Sequence, residues 1–211
     1  MMIIGGITLV VIAYALGSIP FGLVLTRMFT SVDICKTGSG NIGATNVRRM
    51  TGNLLGVLTL IADVLKGTLP VLLSVALFRG ETRGLAETVT ALVAVGAFTG
   101  HLFPVYLGFK TGGKGVATAC GSFLAISPLA VLLVLILFVV AVKVTRRVSA
   151  GSLAATALLP PAVWFTTGSG IFFVAGLVMA VLIFIRHRDN IRRLIAGTEA
   201  ALGDDRNQGE L

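Results

Sequence analysis

The sequence predicts an all-α, polytopic integral membrane protein of about seven transmembrane helices, with its N-terminus outside and its C-terminus in the cytoplasm. Three observations carry this. Of 211 residues, 55% are hydrophobic and 12% are charged, about half the roughly 25% charged content of soluble domains; mean hydropathy is +0.97. The apolar residues fall in runs near the ~20 that a bilayer crossing needs. The basic residues also sort by side. In a seven-crossing count, Arg79 and Arg83 alone lie outside, Lys66 sits within a span, and the other fourteen of seventeen fall on or near the cytoplasmic side, as the positive-inside rule expects.

One transmembrane domain is expected over residues 1–200, followed by a polar C-terminal tail over 201–211. Met1-Met2-Ile3-Ile4 has no basic n-region, so the first apolar run reads as a retained helix rather than a cleaved signal peptide. That span covers residues 3–25 and is kinked by Pro20 near its inner end. The second covers 54–78 and carries Asp63 and Lys66, three apart on one helical face. An ionisable group near mid-membrane costs roughly 2.5–3.5 kcal/mol, so the pair must face protein or water. It is either a mutually neutralising structural pair or a site where Lys66 meets a ligand.

After a polar turn at 79–83, the third span covers 85–102. Residues 116–126 form a short fourth crossing, half-length or tilted. Ser127-Pro128 opens the fifth, 129–144. The sixth, 150–166, is expected to break at Pro160-Pro161, and a Gly-Ser-Gly turn leads into the seventh, 171–185. Glycines at four-residue spacing, Gly52/Gly56 and Gly96/Gly100, mark helix packing.

Three polar clusters interrupt this pattern. The first is Gly38-Ser39-Gly40-Asn41-Ile42-Gly43-Ala44-Thr45-Asn46, followed by Arg48 and Arg49. Its glycines let backbone N–H groups turn toward one point, forming an anion-binding nest. Ser39, Asn41, Thr45 and Asn46 add donors, and each arginine offers charge-assisted hydrogen bonds of roughly 1.5–3 kcal/mol. The plainer reading is an inter-helix hairpin whose arginines mark the cytoplasmic side. The second cluster holds His101, Pro104, Tyr106 and Phe109-Lys110-Thr111-Gly112-Gly113-Lys114-Gly115. The third is Arg186-His187-Arg188-Asp189-Asn190-Ile191-Arg192-Arg193-Leu194, with Gly197 and Glu199 beyond. Its plainer reading is a basic segment resting on anionic headgroups; His187 and Asn190, three apart, can also share one side facing a site. The topology puts all three clusters on one face, which argues for a single site for a phosphorylated ligand.

Other classes fit poorly. The net charge of +8 is scattered among apolar spans, so orientation and anionic ligands explain it better than nucleic acid. Residues 108–115 match the GxxxxGK spacing, but Gly115 stands where a P-loop needs Ser or Thr, and no strand precedes it. Neither histidine starts an HxxxxD acyltransferase signature. No His/Cys/carboxylate spacing suggests a metal, and no cofactor is expected. Cys35 and Cys120 lack CxxC spacing and read as reduced thiols.

Taken together, the segments 38–49, 100–118 and 186–199 resemble the bacterial acyl-phosphate:glycerol-3-phosphate acyltransferase (PlsY) family, and Asp63…Lys66-Gly67 looks familial. The resemblance spans about residues 18–199. It implies an enzyme of the bacterial inner membrane, with its site facing the cytoplasm. The reaction would move a fatty acyl group from acyl phosphate to the sn-1 hydroxyl of glycerol 3-phosphate, giving lysophosphatidate and phosphate, the first step of phospholipid synthesis. The partners implied are these two substrates, membrane lipids and an upstream enzyme forming acyl phosphate.

By matching positions, Ser39, Asn41 and Arg49 belong to an essential first motif; Gly38, Gly40, Thr45 and Asn46, with Asn41, are read beside them as substrate-binding residues. Gly112, Gly113, Lys114 and Gly115 form a glycerol-phosphate loop, His187 and Asn190 assist activity, and Glu199 is structural. Thr111 departs from the family's Phe-Lys-Gly-Gly-Lys-Gly pattern, which separates Lys110 from the loop. Acyl phosphate carries its own leaving group, so no covalent intermediate is needed, and positioning supplies much of the rate. The hydroxyl proton goes to His187 or to a donor phosphate oxygen. The competing class is a transporter or channel for a phosphorylated metabolite. Against it stand the absence of a convincing repeat and the placing of the clusters at one face rather than mid-membrane.

Overall fold

A computed structural model describes residues 2–203, so Met1 and the tail from 204 onward lie outside the described residues. Ten α-helices follow one another among the described residues. They are α1 (Met2–Gly17), α2 (Phe21–Phe29), α3 (Ala44–Thr51), α4 (Asn53–Leu77), α5 (Arg83–Leu102), α6 (Val116–Ile126), α7 (Pro128–Thr145), α8 (Val148–Thr167), α9 (Gly170–Arg186) and α10 (Arg188–Ile195). Pro20 sits at the break between α1 and α2, where its missing N–H and its restriction of Ile19 end the first helix.

Met2–Phe29, Asn53–Leu77, Arg83–Leu107, Pro128–Thr145 and Val148–Thr167 are each long and apolar enough to cross a membrane. The pair α9–α10, bent by 61°, makes a sixth if taken as one span. The crossing missing from the expected seven is the short fourth, α6, whose 11 residues reach only about 16 Å at 1.5 Å per residue, half a hydrocarbon core of about 30 Å. It starts late because residues 108–115 run as loop, exposed at 108–111 and buried at Gly113 and Gly115, before the helix begins. A second difference concerns α8, which runs unbroken through Pro160 and Pro161. Helix breakers are tolerated in membrane helices where surrounding groups satisfy the freed carbonyls; α9 runs close by here, a Cβ at Gly176 lying 3.6 Å from Pro160 Cα.

Glycine seams set the bundle. A Cβ at Gly67 would strike the Thr118 carbonyl, and one at Gly121 the Val64 carbonyl, so α4 and α6 touch backbone to backbone. Thr68 Oγ1 donates across this seam to Gly121 O at 2.9 Å. Gly96 and Gly100 likewise meet Val10 and Tyr14 of α1, as their spacing predicts. Gly52 does not pack: it ends α3 with φ +95 and faces open space, while Gly56 meets Arg48. Phe98, Phe123, Met179 and Ile183 centre the main core, and a smaller cluster of Leu23, Ile34, Ile42 and Val47 supports the α2–α3 loop. At the bundle's other end, Ser169 Oγ donates to Glu87 Oε2 at 2.6 Å and Ser127 pairs with Thr166 at 2.7 Å. That leaves the starts of α4, α6 and α8 and the ends of α7 and α9 around the three polar clusters.

Candidate active site

The first cluster folds around Asn46, which is buried at the start of α3. Its Oδ1 accepts the Ser39 N–H at 3.0 Å, and its Nδ2 donates to Asn41 O at 3.0 Å and Thr37 O at 3.2 Å. Gly40 N–H goes to Thr37 O, and Gly43 N–H to Asn41 Oδ1 at 2.8 Å. Three amides of the expected nest, those of Ser39, Gly40 and Gly43, are thus engaged within the loop, and Asn46 acts as the loop's internal tie. Gly38 (φ +60) and Gly40 (φ +66) are needed for the left-handed turns this requires. The side chains of Ser39, Asn41, Thr45, Arg48 and Arg49 all line one cavity.

The second cluster delivers one cation. Lys114 lies at the cavity and donates from Nζ to Asn190 Oδ1 at 2.5 Å. Gly115 follows with φ +84, the left-handed residue from which α6 starts. Lys110 and Thr111 are exposed and do not line the cavity. Gly112 and Gly113 also lie off it, and their φ angles are not left-handed; their reason for lacking a side chain is packing. A Cβ at Gly113 would collide with the His101 ring, and one at Gly112 with the Leu102 carbonyl.

Arg186, absent from the sequence-derived site, clamps this loop. Its Nε donates to Gly113 O at 3.1 Å and its guanidinium to Leu102 O at 3.0 Å, with Phe103 stacked beneath at 5.6 Å. Replacing Gly113 by Ala should raise the KM for glycerol 3-phosphate several-fold. It should also lower thermal stability by about 1–3 kcal/mol, the usual cost of overpacking. A melt and a two-substrate kinetic matrix check both; an unchanged melting temperature would leave His101 free to move.

The third cluster completes the site. His187, just beyond α9, places Nδ1 2.9 Å from Ile183 O; since a carbonyl only accepts, Nδ1 carries the proton and Nε2 is the acceptor in the neutral ring. Burial first, then the nearby Lys114 charge, push this imidazole down to about 4. Burial also pushes the Lys114 ammonium down to about 8, with Glu199 opposing the shift and Arg193 and Arg49 adding to it. Asn190 Nδ2 donates to Glu199 Oε1 at 2.6 Å, and Arg193 Nε to Glu199 Oε2 at 2.7 Å. Burial would raise the Glu199 carboxyl, but the donors around it hold it below its ordinary value. Lys114, Asn190, Glu199 and Arg193 thus form one continuous chain.

Below them, Asp63 and Lys66 pair at 2.8 Å with both side chains 3% exposed. Lys66 also donates to Ile19 O at 2.9 Å, tying α4 to the α1–α2 break. Asp63 and His101 reach the cavity, whereas Lys66 does not line it. The structural alternative for this pair is the one the geometry favours.

All three clusters meet on a cavity of about 1240 Å³, larger than the roughly 300–1,000 Å³ of small-molecule sites. Its charged and imidazole lining is Lys36, Arg48, Arg49, Asp63, His101, Lys114, His187, Arg193 and Glu199, and its apolar lining comes from α4, α7 and α8, including Val57, Leu60, Leu135 and Phe138. Ser149, Ser152 and Thr156 also line it, and their three- and four-residue spacing is a polar stripe legible in the sequence. No cluster of three metal-ligating side chains occurs among the described residues.

The model for the glycerol-3-phosphate acyltransferase family matches residues 7–197. The chain belongs to that family. It is 49% identical to a glycerol-3-phosphate acyltransferase of Syntrophotalea carbinolica over 187 residues, covering 89% of this chain and 92% of the relative. Against one from Anaeromyxobacter dehalogenans it is 50% identical over 195 residues, covering 92% and 96%. Among solved structures it is similar to PlsY (YgiH), an integral membrane glycerol 3-phosphate acyltransferase. The glycerol 3-phosphate form of that protein superposes with TM-score 0.88 at 36% identity, covering 98% of this chain and all of the other. Its lysophosphatidic acid form gives 0.85 at 37%, covering 95% and 96%. This acyltransferase family membership makes the chain an integral membrane protein of phospholipid synthesis.

Proposed function

We propose that this acyltransferase takes its acyl group from acyl phosphate and delivers it to the sn-1 hydroxyl of glycerol 3-phosphate at the cytoplasmic face of the inner membrane. The observation that carries the reading is one cavity lined both by cationic and imidazole side chains, Arg48, Arg49, Lys114 and His187 among them, and by an apolar arm of α4, α7 and α8 side chains. Two phosphorylated substrates need the cations, and a fatty chain needs the arm. Arg48 and Arg49 hold the donor phosphate beside Ser39, and Lys114 meets the acceptor phosphate. The acceptor hydroxyl oxygen attacks the acyl carbonyl carbon. The bond from that carbon to the phosphate oxygen breaks, and its electron pair leaves with phosphate. The hydroxyl proton passes to a phosphate oxygen rather than to His187, because an imidazole near 4 is a weak base at neutral pH.

Purified protein should release phosphate from acyl phosphate only when glycerol 3-phosphate is present, forming lysophosphatidate in equal amount. Release without acceptor, or acceptor-driven transport without release, would sink the reading. Lys114 also sets a pH dependence. The cationic form is fully present below its value of about 8 and is lost above it. The kcat/KM for glycerol 3-phosphate should therefore fall about tenfold between pH 7 and pH 9, while Lys114→Met should be low and flat across that range.

A further inference from the structure

Beyond α10 the chain turns at Gly197, with φ +73, and residues 198–202 pass along the cavity as one of its walls. This strap is tied to the turn between α7 and α8 at three points. Arg147 Nε donates to Glu199 O at 3.1 Å, and its guanidinium to Gly197 O at 3.2 Å. Leu202 N–H donates to Arg146 O at 2.6 Å. Arg146 itself adopts φ +57, a left-handed conformation uncommon outside glycine, which aims its carbonyl at the strap. On its other side the strap presents the Glu199 carboxylate to Asn190 and Arg193, and Asn190 holds Lys114.

We propose that Arg147 is a positioning residue for the reaction. By latching the strap to the α7–α8 turn it holds Glu199, and through Asn190 holds Lys114, where the acceptor phosphate must land. This rests on the assignment of Lys114 to the phosphate of glycerol 3-phosphate. A fork reaching two backbone carbonyls fixes both the position and the direction of the strap, which a single donor cannot do. The charged and titratable groups acting on Lys114 are Glu199, Arg193, Arg49, Asp189 and His187, and Glu199 is the one the latch positions. Releasing the strap withdraws that carboxylate, so the Lys114 ammonium loses a stabilising neighbour. Deleting a cation merely near Lys114 would act in the opposite direction.

The experiment compares Arg147→Met with Lys143→Ala, which removes a cation from exposed α7 at the same end. Arg147→Met should raise the KM for glycerol 3-phosphate about fivefold with kcat within about twofold. It should also move the alkaline limb of kcat/KM down by about half a pH unit or more; Lys143→Ala should change neither. In a Glu199→Gln background, Arg147→Met should add less than about twofold, because the two act in series. Fully additive effects, or an alkaline limb that stays put or moves up, would overturn the latch. Should Arg147→Met yield no folded protein, Arg147→Lys keeps the cation but loses the fork, and must show the same shifts in smaller measure. Lys114→Met separates the two levels of argument. An unchanged KM for glycerol 3-phosphate in that variant overturns the acceptor assignment. A raised KM there, with Arg147→Met behaving as wild type, overturns the latch alone.

Discussion

Arg49→Ala is expected to lose about a hundredfold or more in kcat, on the scale of removing one preorganised donor from a developing negative charge. The side chain stands on α3, an eight-residue helix held by the Asn46 hydrogen bonds and by the packing of Val47, Ile34 and Ile42. The variant should therefore accumulate and melt like the parent. Arg49→Lys should recover little, because an ammonium cannot present the planar pair of donors that a phosphate accepts. Turnover of Arg49→Ala near the parental rate at matched protein levels would reduce the arginine to a marker of membrane orientation.

Asp63→Leu should give the largest loss of stability, about 3–5 kcal/mol. It strands the Lys66 charge in a site where both partners are almost wholly enclosed, and breaking one side of a buried pair leaves the other uncompensated. Asp63→Leu with Lys66→Met should recover much of that loss. The Ile19 carbonyl would then lose its donor, so recovery should stop short of the parent. Thermal unfolding in one detergent, followed for all three variants and the parent, decides it. A double variant no more stable than Asp63→Leu alone would show that the carboxylate matters for reasons other than its partner. Because Asp63 reaches the cavity, activity should be compared only among variants that remain folded at the assay temperature.

The all-α membrane class and the places of the long apolar helices were legible in the sequence because both follow from one strong local signal, the length of apolar runs; α3, inside the first polar cluster, was not. The predicted span at 54–78 and the observed α4 at Asn53–Leu77 agree for that reason. Gly96 and Gly100 were equally legible as packing positions, since four-residue spacing puts them on one helical face. The three clusters could be ordered along the chain and, through the charge pattern, set at one end. Membership of the acyltransferase family followed from their motifs and order.

What each residue does there was decided by tertiary structure. Asn46 reads as a ligand donor in sequence, yet its amide is taken up by Ser39, Thr37 and Asn41; no pattern of spacing reveals where a side chain's hydrogen bonds go. Gly112 and Gly113 read as anion-binding glycines, yet they are small because Leu102 and His101, ten or more residues earlier, occupy the space. Pro160 and Pro161 read as a break, yet α8 continues through them with α9 running alongside at Gly176. Arg186 and Arg147 look in sequence like two more basic residues near a helix end. Only the folded chain brings the carbonyls of Gly113 and Leu102 to one, and those of Gly197 and Glu199 to the other. Local periodicity sets which segments are helices; contacts between residues distant in the chain set which polar atoms remain for a ligand.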